Sequence, residues 1–177
     1  MVLPAAQLKG ATIYLLDANV LITAKNSYYA LDRVPEFWEW LLYWAERGAI
    51  KMPVEIVEEI VGGSDDLAQW LGENKDALCL DEESDVRRVQ EVLAVGYAAA
   101  NLTDSEVIKI GRDPFLIAYA LFAPDVRMVV TTEVSKPTAQ RANRRIPDVC
   151  DQVRVKWSNS FGLVRDLNFS TKWRERL

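Results

Sequence analysis

The sequence predicts one α/β domain, residues 1–177, in which helices cover both faces of a central parallel sheet as a three-layer α/β/α sandwich. Two observations carry this prediction. The chain has 177 residues, half of them hydrophobic, which suits one globular domain with its own core. Short apolar runs rich in β-forming residues alternate with longer helical patterns, and parallel strands need such helical crossovers.

Three apolar runs are the predicted strands, at residues 11–16, 127–132 and 153–157, and the third is the weakest. The first run is continuously apolar and stops at Asp17. An edge strand would alternate polar and apolar residues, so this run is typical of a buried central strand.

The helices are predicted from apolar spacing and from residues that favour helix ends. Phe37, Trp40, Leu41 and Trp44 recur at helical spacing, and that helix ends near Gly48. The later helices are predicted from residues that favour a helix start, namely proline in the first turn, serine at the N-cap and an Asp-Pro pair. These helices are 54–61 after Pro53 and before Gly62, 65–71 capped by Ser64, about 84–100 capped by Ser84, 103–110 before Gly111, and 115–122 after Asp113 and Pro114.

The chain contains no histidine, which excludes several kinds of catalysis. Ser-His-Asp triads, Cys-His nucleophiles and paired-histidine ribonuclease chemistry all need that residue. Cys79 and Cys150 lie far apart, so neither a zinc cluster nor a disulfide framework is indicated, and a reducing, cytoplasmic location is expected. No apolar run is long enough to span a bilayer and no signal segment is evident, so we expect no membrane partner.

Charge is unevenly distributed along the chain. Residues 136–177 carry 10 basic and 4 acidic side chains, whereas residues 1–135 carry 11 basic and 22 acidic ones. Two interpretations remain open: ordinary solvated surface charge, or an acidic cation-binding centre beside a basic surface that holds an anionic polymer.

Two acids follow predicted strands and so face the edge of the sheet where ligands bind in open parallel sheets. Asp17 follows the first strand and is embedded in apolar sequence, and Glu133 follows the second. A buried carboxylate needs donors, a partner or a cation. The alternative for Asp17 is that it caps the next helix.

Two further acids are candidates for the same site. Asp113 opens an apolar helix that must lie on the sheet, although it could equally cap that helix. Glu59 adjoins the apolar stripe of the helix after Pro53, whereas Glu55 and Glu58 suit a solvated face. Carboxylates gathered together need cations, and oxygen ligands without histidine favour Mg²⁺ or Mn²⁺, which can activate water for hydrolysis.

At this point the pattern resembles the PIN domain, the metal-dependent ribonuclease fold that includes the VapC-like toxins of toxin–antitoxin pairs. The resemblance rests on four segments in order: LDANVLI (16–22), VEEI (57–60), DPFLIAYA (113–120) and VVTTE (129–133). More closely, the chain looks like an uncharacterised prokaryotic PIN-like family through NSYY (26–29), PEFWEW (35–40), LAQW (67–70) and IPDVC (146–150).

The resemblance implies a role for each matching residue. Asp17, Glu59 and Asp113 would bind Mg²⁺ or Mn²⁺, and Glu133 would complete the acidic pocket. Asn19 and Thr131, with Thr132 as a helper, would orient the carboxylates or bound water. The last acid is more usually Asp in PIN nucleases, so Glu133 either reaches the metal through water or lowers the activity.

The function that follows from the resemblance is hydrolysis of RNA by a metal-dependent ribonuclease, as the toxin of a toxin–antitoxin pair. One partner would be RNA, whose backbone would be bound by Arg141, Arg144 and Arg145. The other partner would be an antitoxin protein. A homodimer packed through Trp38 and Trp44 is an alternative to their burial in the core.

Two other functions stay open. One is a non-catalytic PIN-like module that binds RNA or protein. The other is a haloacid-dehalogenase-like phosphatase with Asp17 as nucleophile, although Asn19 stands where that family has a second acid.

Overall fold

A computed structural model describes residues 12–99 and 101–177 of the chain. Its sheet has four strands: β1 (Ile13–Leu16), β2 (Ile50–Lys51), β3 (Arg127–Val130) and β4 (Lys156–Ser158). All are parallel, in the order β2-β1-β3-β4. Leu16 at the end of β1 lies opposite Val130 of β3, which in turn lies opposite Ser158 of β4.

Helices fill the connections between these strands. The ten α-helices of the described residues are α1 (Ala18–Thr23), α2 (Pro35–Glu46), α3 (Val54–Val61), α4 (Asp66–Glu73), α5 (Lys75–Leu78), α6 (Val86–Glu91), α7 (Asp104–Ile110), α8 (Asp113–Phe122), α9 (Ile146–Val153) and α10 (Ser160–Asp166). Short π-helical turns, Ala24–Tyr28 and Val92–Gly96, continue α1 and α6, and Arg141–Asn143 forms a 3₁₀ turn.

The directions of the crossovers put helices on both faces of the sheet. β1 leads through α1 and α2 to β2 on one side, whereas β3 leads through α9 to β4 on the other. Because crossovers between parallel strands are right-handed, α2 and α9 lie on opposite faces. α8 contacts β1, β3 and α9, while Trp40 of α2 donates a hydrogen bond to the Leu167 carbonyl after α10. The predicted three-layer α/β/α architecture is therefore confirmed.

The strand predictions are correct for the two central strands only. β3 ends at Val130, two residues before the predicted end, and residue 11 of the first predicted strand lies outside the described residues. The predicted strand 153–157 starts too early along the chain, because Val153 is the last residue of α9. Arg154, with φ of 61°, ends that helix in the left-handed region, and β4 starts only at Lys156.

Two predicted helix caps are wrong by one residue. Asp65, not Ser64, caps α4, with Oδ1 accepting from the Ala68 amide at 3.0 Å. Asp85, not Ser84, caps α6. A carboxylate complements the positive end of a helix better than a hydroxyl. The predicted helix to residue 100 ends at Gly96 with its π-helical turn, and residue 100 itself lies outside the described residues.

The aromatic side chains of α2 pack into the core. Trp38 is buried, donates from Nε1 to the Tyr29 carbonyl at 2.8 Å, and meets the ring of Trp70 at 4.7 Å. Trp44 is half-buried beside Tyr43. Of the two interpretations of Trp38 and Trp44, core packing is the one that the structure supports. None of the helices at 12–99 and 101–177 has the length and apolar character that crossing a bilayer requires.

Candidate active site

The strand order reverses between β1 and β3, and this reversal opens a crevice at the carboxyl ends of the two strands. Chain connections leave β1 and β3 in opposite directions, which is where open α/β sheets bind ligands. Asp17 follows β1 and Thr131 follows β3. The Asp17 amide donates to the Val130 carbonyl at 2.9 Å, so the two segments are paired up to the crevice.

Asp17 is buried, with 3% of its surface exposed, and Thr131 is its hydrogen-bonding partner. Thr131 Oγ1 donates to Asp17 Oδ2 at 2.9 Å. The Glu133 amide donates to the same hydroxyl at 3.1 Å, which leaves the hydroxyl proton free for Asp17. Asp17 precedes α1, yet its carboxylate makes no capping hydrogen bond of normal geometry. Asp17 thus occupies the N-cap position of α1, while Thr131 is the side chain that donates a hydrogen bond to its carboxylate.

Asp113 is the first residue of α8, and the residue in the capping position is Arg112. Asp113 is therefore not the N-cap residue, but as an acid in the first turn of α8 it complements the helix dipole, as that alternative expects. Burial, followed by the negative charges of Asp17, Glu133 and Glu59, raises the pKa of Asp113 to about 8. Burial favours the neutral form of a carboxyl group, and the neighbouring negative charges favour it further.

The pKa of Asp17 is also raised, to about 6, chiefly by burial. Hydrogen bonding from Thr131 and from the Asn19 amide lowers this pKa, and the charges of Glu133 and Glu59 raise it. The charges of Glu133 and Glu59 thus act on both Asp17 and Asp113. The Asn19 side chain is exposed on α1, so its backbone, rather than its amide side chain, acts on Asp17.

The structure also distinguishes Glu59 from Glu55. Glu59 is exposed on α3, and its charge acts on Asp17 and Asp113. Glu55 points elsewhere, since its charge acts on Tyr119 and Cys79. Of the two glutamates, Glu59 is the one that faces the crevice.

Glu133 is held against the start of α9. Its Oε2 accepts from the Ile146 amide at 2.7 Å, and its Oε1 lies 3.4 Å from a nitrogen of Arg145. Glu133 therefore caps α9 from the segment after β3. The additional methylene of glutamate, compared with aspartate, supplies reach for this contact.

Asp148 completes the attachment of that segment, and the sequence interpretation assigned it no role. It is buried in the first turn of α9, where its Oδ1 accepts from Ser135 Oγ at 2.5 Å and its Oδ2 from the Lys136 amide at 2.8 Å. The signal in the sequence is Pro147, which marks a helix start and hence a place for acids.

Shortening Glu133 is expected to destabilise the protein more than neutralising it. Glu133→Gln keeps an oxygen for the Ile146 amide and should change the free energy of unfolding by less than about 1 kcal/mol. Glu133→Asp should cost about 1–2 kcal/mol, because it leaves a partly buried amide without an acceptor. Urea denaturation measures both, and an aspartate variant as stable as the glutamine variant would contradict the capping role.

The predicted four-carboxylate metal centre is not assembled as such. Among residues 12–99 and 101–177, no three Asp, Glu or Cys side chains are arranged to hold a metal ion. The Glu133 carboxylate accepts a hydrogen bond from the first amide of α9, and Glu59 is exposed. Asp17 and Asp113 remain as the buried and partly buried pair, and the charge of Asp17 raises the pKa of Asp113.

The three predicted RNA-gripping arginines differ in what they contact. Arg141 forms a two-pronged pair with Glu106, from Nε to Oε1 at 2.6 Å and from a terminal nitrogen to Oε2 at 2.7 Å. This pairing lowers the pKa of Glu106 to about 2. Arg144 and Arg145 line a pocket of about 580 Å³ that Asp113 and Glu133 also line.

These features define an α/β protein with an acidic crevice at the switch point of a parallel sheet, next to a pocket that carries basic side chains. A family model described as "Domain of unknown function (DUF4411)" matches residues 14–171. The chain belongs to this family. The chain matches no curated protein and no solved structure.

Proposed function

We propose that this protein is a divalent-metal-dependent ribonuclease whose reaction centre is the crevice between β1 and β3. The observation that carries the proposal is the pair Asp17 and Asp113, two acids beside the switch point whose pKa values are both raised chiefly by burial, with the charge of Asp17 adding to the shift of Asp113. Burying a carboxylate lowers the stability of the fold unless hydrogen bonds or a cation compensate. Groups with strongly shifted pKa values concentrate at functional sites.

The two aspartates fit Mg²⁺ or Mn²⁺ by their chemistry. Mg²⁺ is commonly held by one or two carboxylates and keeps several waters, so a set of three protein ligands is not required. Asp17 and Asp113 would hold the ion. When bound, it would supply Lewis acidity toward a phosphoryl oxygen and activate water for attack on the RNA phosphodiester.

The remaining residues of the crevice position these two acids. Thr131 donates to one oxygen of Asp17 and so leaves the other for the ion. The Glu133 amide sets the direction of the Thr131 hydroxyl, and the Glu133 carboxylate ties the same segment to α9. Glu59 adds negative charge at the exposed rim, where it would draw cations toward the crevice.

RNA is the proposed substrate because the surroundings of the acids favour an anionic polymer. The pocket next to Asp113 carries Lys109, Lys136, Arg144 and Arg145, all in a chain whose net charge is −5. Positive groups near a cation-binding acid pair suit a phosphodiester backbone.

The toxin role is part of the proposal and rests on the resemblance to VapC-like proteins. An antitoxin would act by covering the acidic crevice. Cys79 and Cys150 are both free thiols, which suits a reducing compartment such as the cytoplasm.

The test is cleavage of a mixed RNA pool by the purified protein with Mg²⁺, with Mn²⁺ and with EDTA. We expect cleavage with either metal and none with EDTA. Cleavage that persists in EDTA would overturn the metal dependence. Binding of RNA without cleavage under every condition would overturn the nuclease and favour the non-catalytic module.

A further inference from the structure

We propose that the pocket lined by Tyr97, the end of α7, Asp113 and side chains of the segment 133–145 binds a single nucleotide unit through its phosphate. This pocket, called here the basic pocket, has a volume of about 580 Å³. Asp113 and Glu133 line it next to the crevice, and Lys109, Lys136, Arg144 and Arg145 supply its positive charge. The choice of a nucleotide among phosphorylated ligands rests on the proposed function.

The cations of the basic pocket lack strong anionic partners. Lys109 donates to a neutral acceptor, Asn143 Oδ1, at 2.5 Å. Lys136 forms no ion pair within the part of the chain that the structure describes. Arg145 reaches Glu133 only at 3.4 Å. Four basic side chains thus line one cavity, which is the arrangement that a phosphate dianion would neutralise.

Arg144 has unused donor capacity at this wall. One terminal nitrogen donates to the Asp148 carbonyl at 3.1 Å, whereas its Nε is buried with no hydrogen-bond partner among the described residues. Nε is closed to solvent, but the other terminal nitrogen forms no hydrogen bond among the described residues and is not buried, so it can donate to a ligand in the pocket.

Tyr97 is a second unpartnered donor at the same pocket. The residue is 1% exposed, forms part of the wall, and its hydroxyl has no partner among residues 12–99 and 101–177. Burial and the charges of Asp113 and Glu133 raise its pKa, so the hydroxyl keeps its proton and can donate. The charge of Arg144 lowers the pKa of Tyr97, so the two side chains lie near each other at this wall.

The size of the basic pocket favours a nucleotide over a bare phosphate. Its volume lies in the range of pockets that hold small organic ligands. The carboxylates of Asp113 and Glu133 would repel an anion, so Arg144 and Lys136 are the side chains proposed to hold the phosphate. The sugar and base would then fill the remaining space. In an RNA strand this unit would be the neighbour of the phosphodiester at Asp17 and Asp113.

Calorimetric titration with adenosine monophosphate and uridine monophosphate, in EDTA, tests the basic pocket without any cleavage. We expect saturable binding of both nucleotides, weaker binding of inorganic phosphate, and no binding of the nucleosides. Lys136→Gln and Arg144→Gln should each weaken nucleotide binding by about tenfold. The matched control is Lys172→Gln, an exposed lysine outside the pocket lining, which should bind like the wild type.

Two results would overturn the basic pocket as a nucleotide site. One is nucleotide affinity that is unchanged in both pocket variants, and the other is inorganic phosphate binding as tightly as the nucleotides. Lys136 is exposed, so its variant tests the pocket even if Arg144→Gln is unstable. Nucleotide binding in a protein that cleaves no RNA would show that the nuclease has failed and the pocket has not.

Discussion

Replacing Asp17 with asparagine is expected to lower metal-dependent RNA cleavage by at least about a hundredfold. The amide has the shape of the carboxylate and can still accept a hydrogen bond from Thr131, so the fold should persist. It lacks the negative charge that would hold the ion, and a bound metal is worth several kcal/mol to the transition state of such a reaction. The measurement is the initial rate of cleavage of one RNA at saturating Mn²⁺.

The control for this variant is Asp32→Asn, which removes the same charge from an exposed aspartate before α2. It should retain the rate of the wild type. Circular dichroism and thermal unfolding would verify that both variants are folded. A rate for Asp17→Asn within twofold of the wild type would contradict the assignment of Asp17 to the reaction centre.

Replacing Asp113 with asparagine is expected to stabilise the metal-free protein at alkaline pH while removing its activity. The pKa of Asp113 is raised from 3.8 to about 8, so the folded protein retains a proton that the unfolded chain releases in this window. Stability therefore falls as the pH rises from about 4 to about 8, and the loss is complete above the folded pKa. Asparagine cannot ionise and avoids this loss.

Thermal unfolding in EDTA at two pH values measures the effect. At pH 8.5 the variant should unfold about 2–4 °C above the wild type for each 1 kcal/mol gained, and at pH 4 the two should agree within about 1 °C. Mg²⁺ should raise the unfolding temperature of the wild type at pH 8.5 and have less effect on the variant. An unfolding temperature that is equal or lower for the variant at pH 8.5 would contradict the raised pKa.

Elements with clear signals at both ends could be predicted from the sequence. Helix α3 runs from Val54 to Val61 as predicted, because Pro53 supplies a fixed start and Gly62 a stop. The first strand also has a sharp limit, since an acid follows a continuous apolar run. In both cases the information lies in adjacent residues.

Elements whose limits depend on tertiary contacts could not be predicted. The second strand has only two residues, Ile50 and Lys51, too few for any pattern. The run VRVKW at 153–157 has the composition of a strand, yet Val153 belongs to the apolar face of α9. Hydrophobic periodicity does not separate the end of a buried helix from the start of a strand that follows it closely.

Within the candidate site, too, some features have a local sequence signal and others depend on tertiary contacts. Asp17, Glu59 and Asp113 could be found because they interrupt or border apolar segments, and their charges act on one another in the folded chain. The capping of α9 by Glu133 joins residues that are 13 positions apart, and no local pattern encodes it. The basic pocket draws on three separate segments, with Tyr97 contributed by a turn that has no sequence signal.

The attachment of the segment after β3 to α9 has a consequence for how a ligand would bind. Glu133 and Asp148 together satisfy the Ile146 and Lys136 amides and the Ser135 hydroxyl before any ligand arrives. The crevice and the pocket beside it therefore share a wall whose conformational entropy was lost during folding. A ligand would not have to order that wall, so more of its interaction energy would remain as affinity.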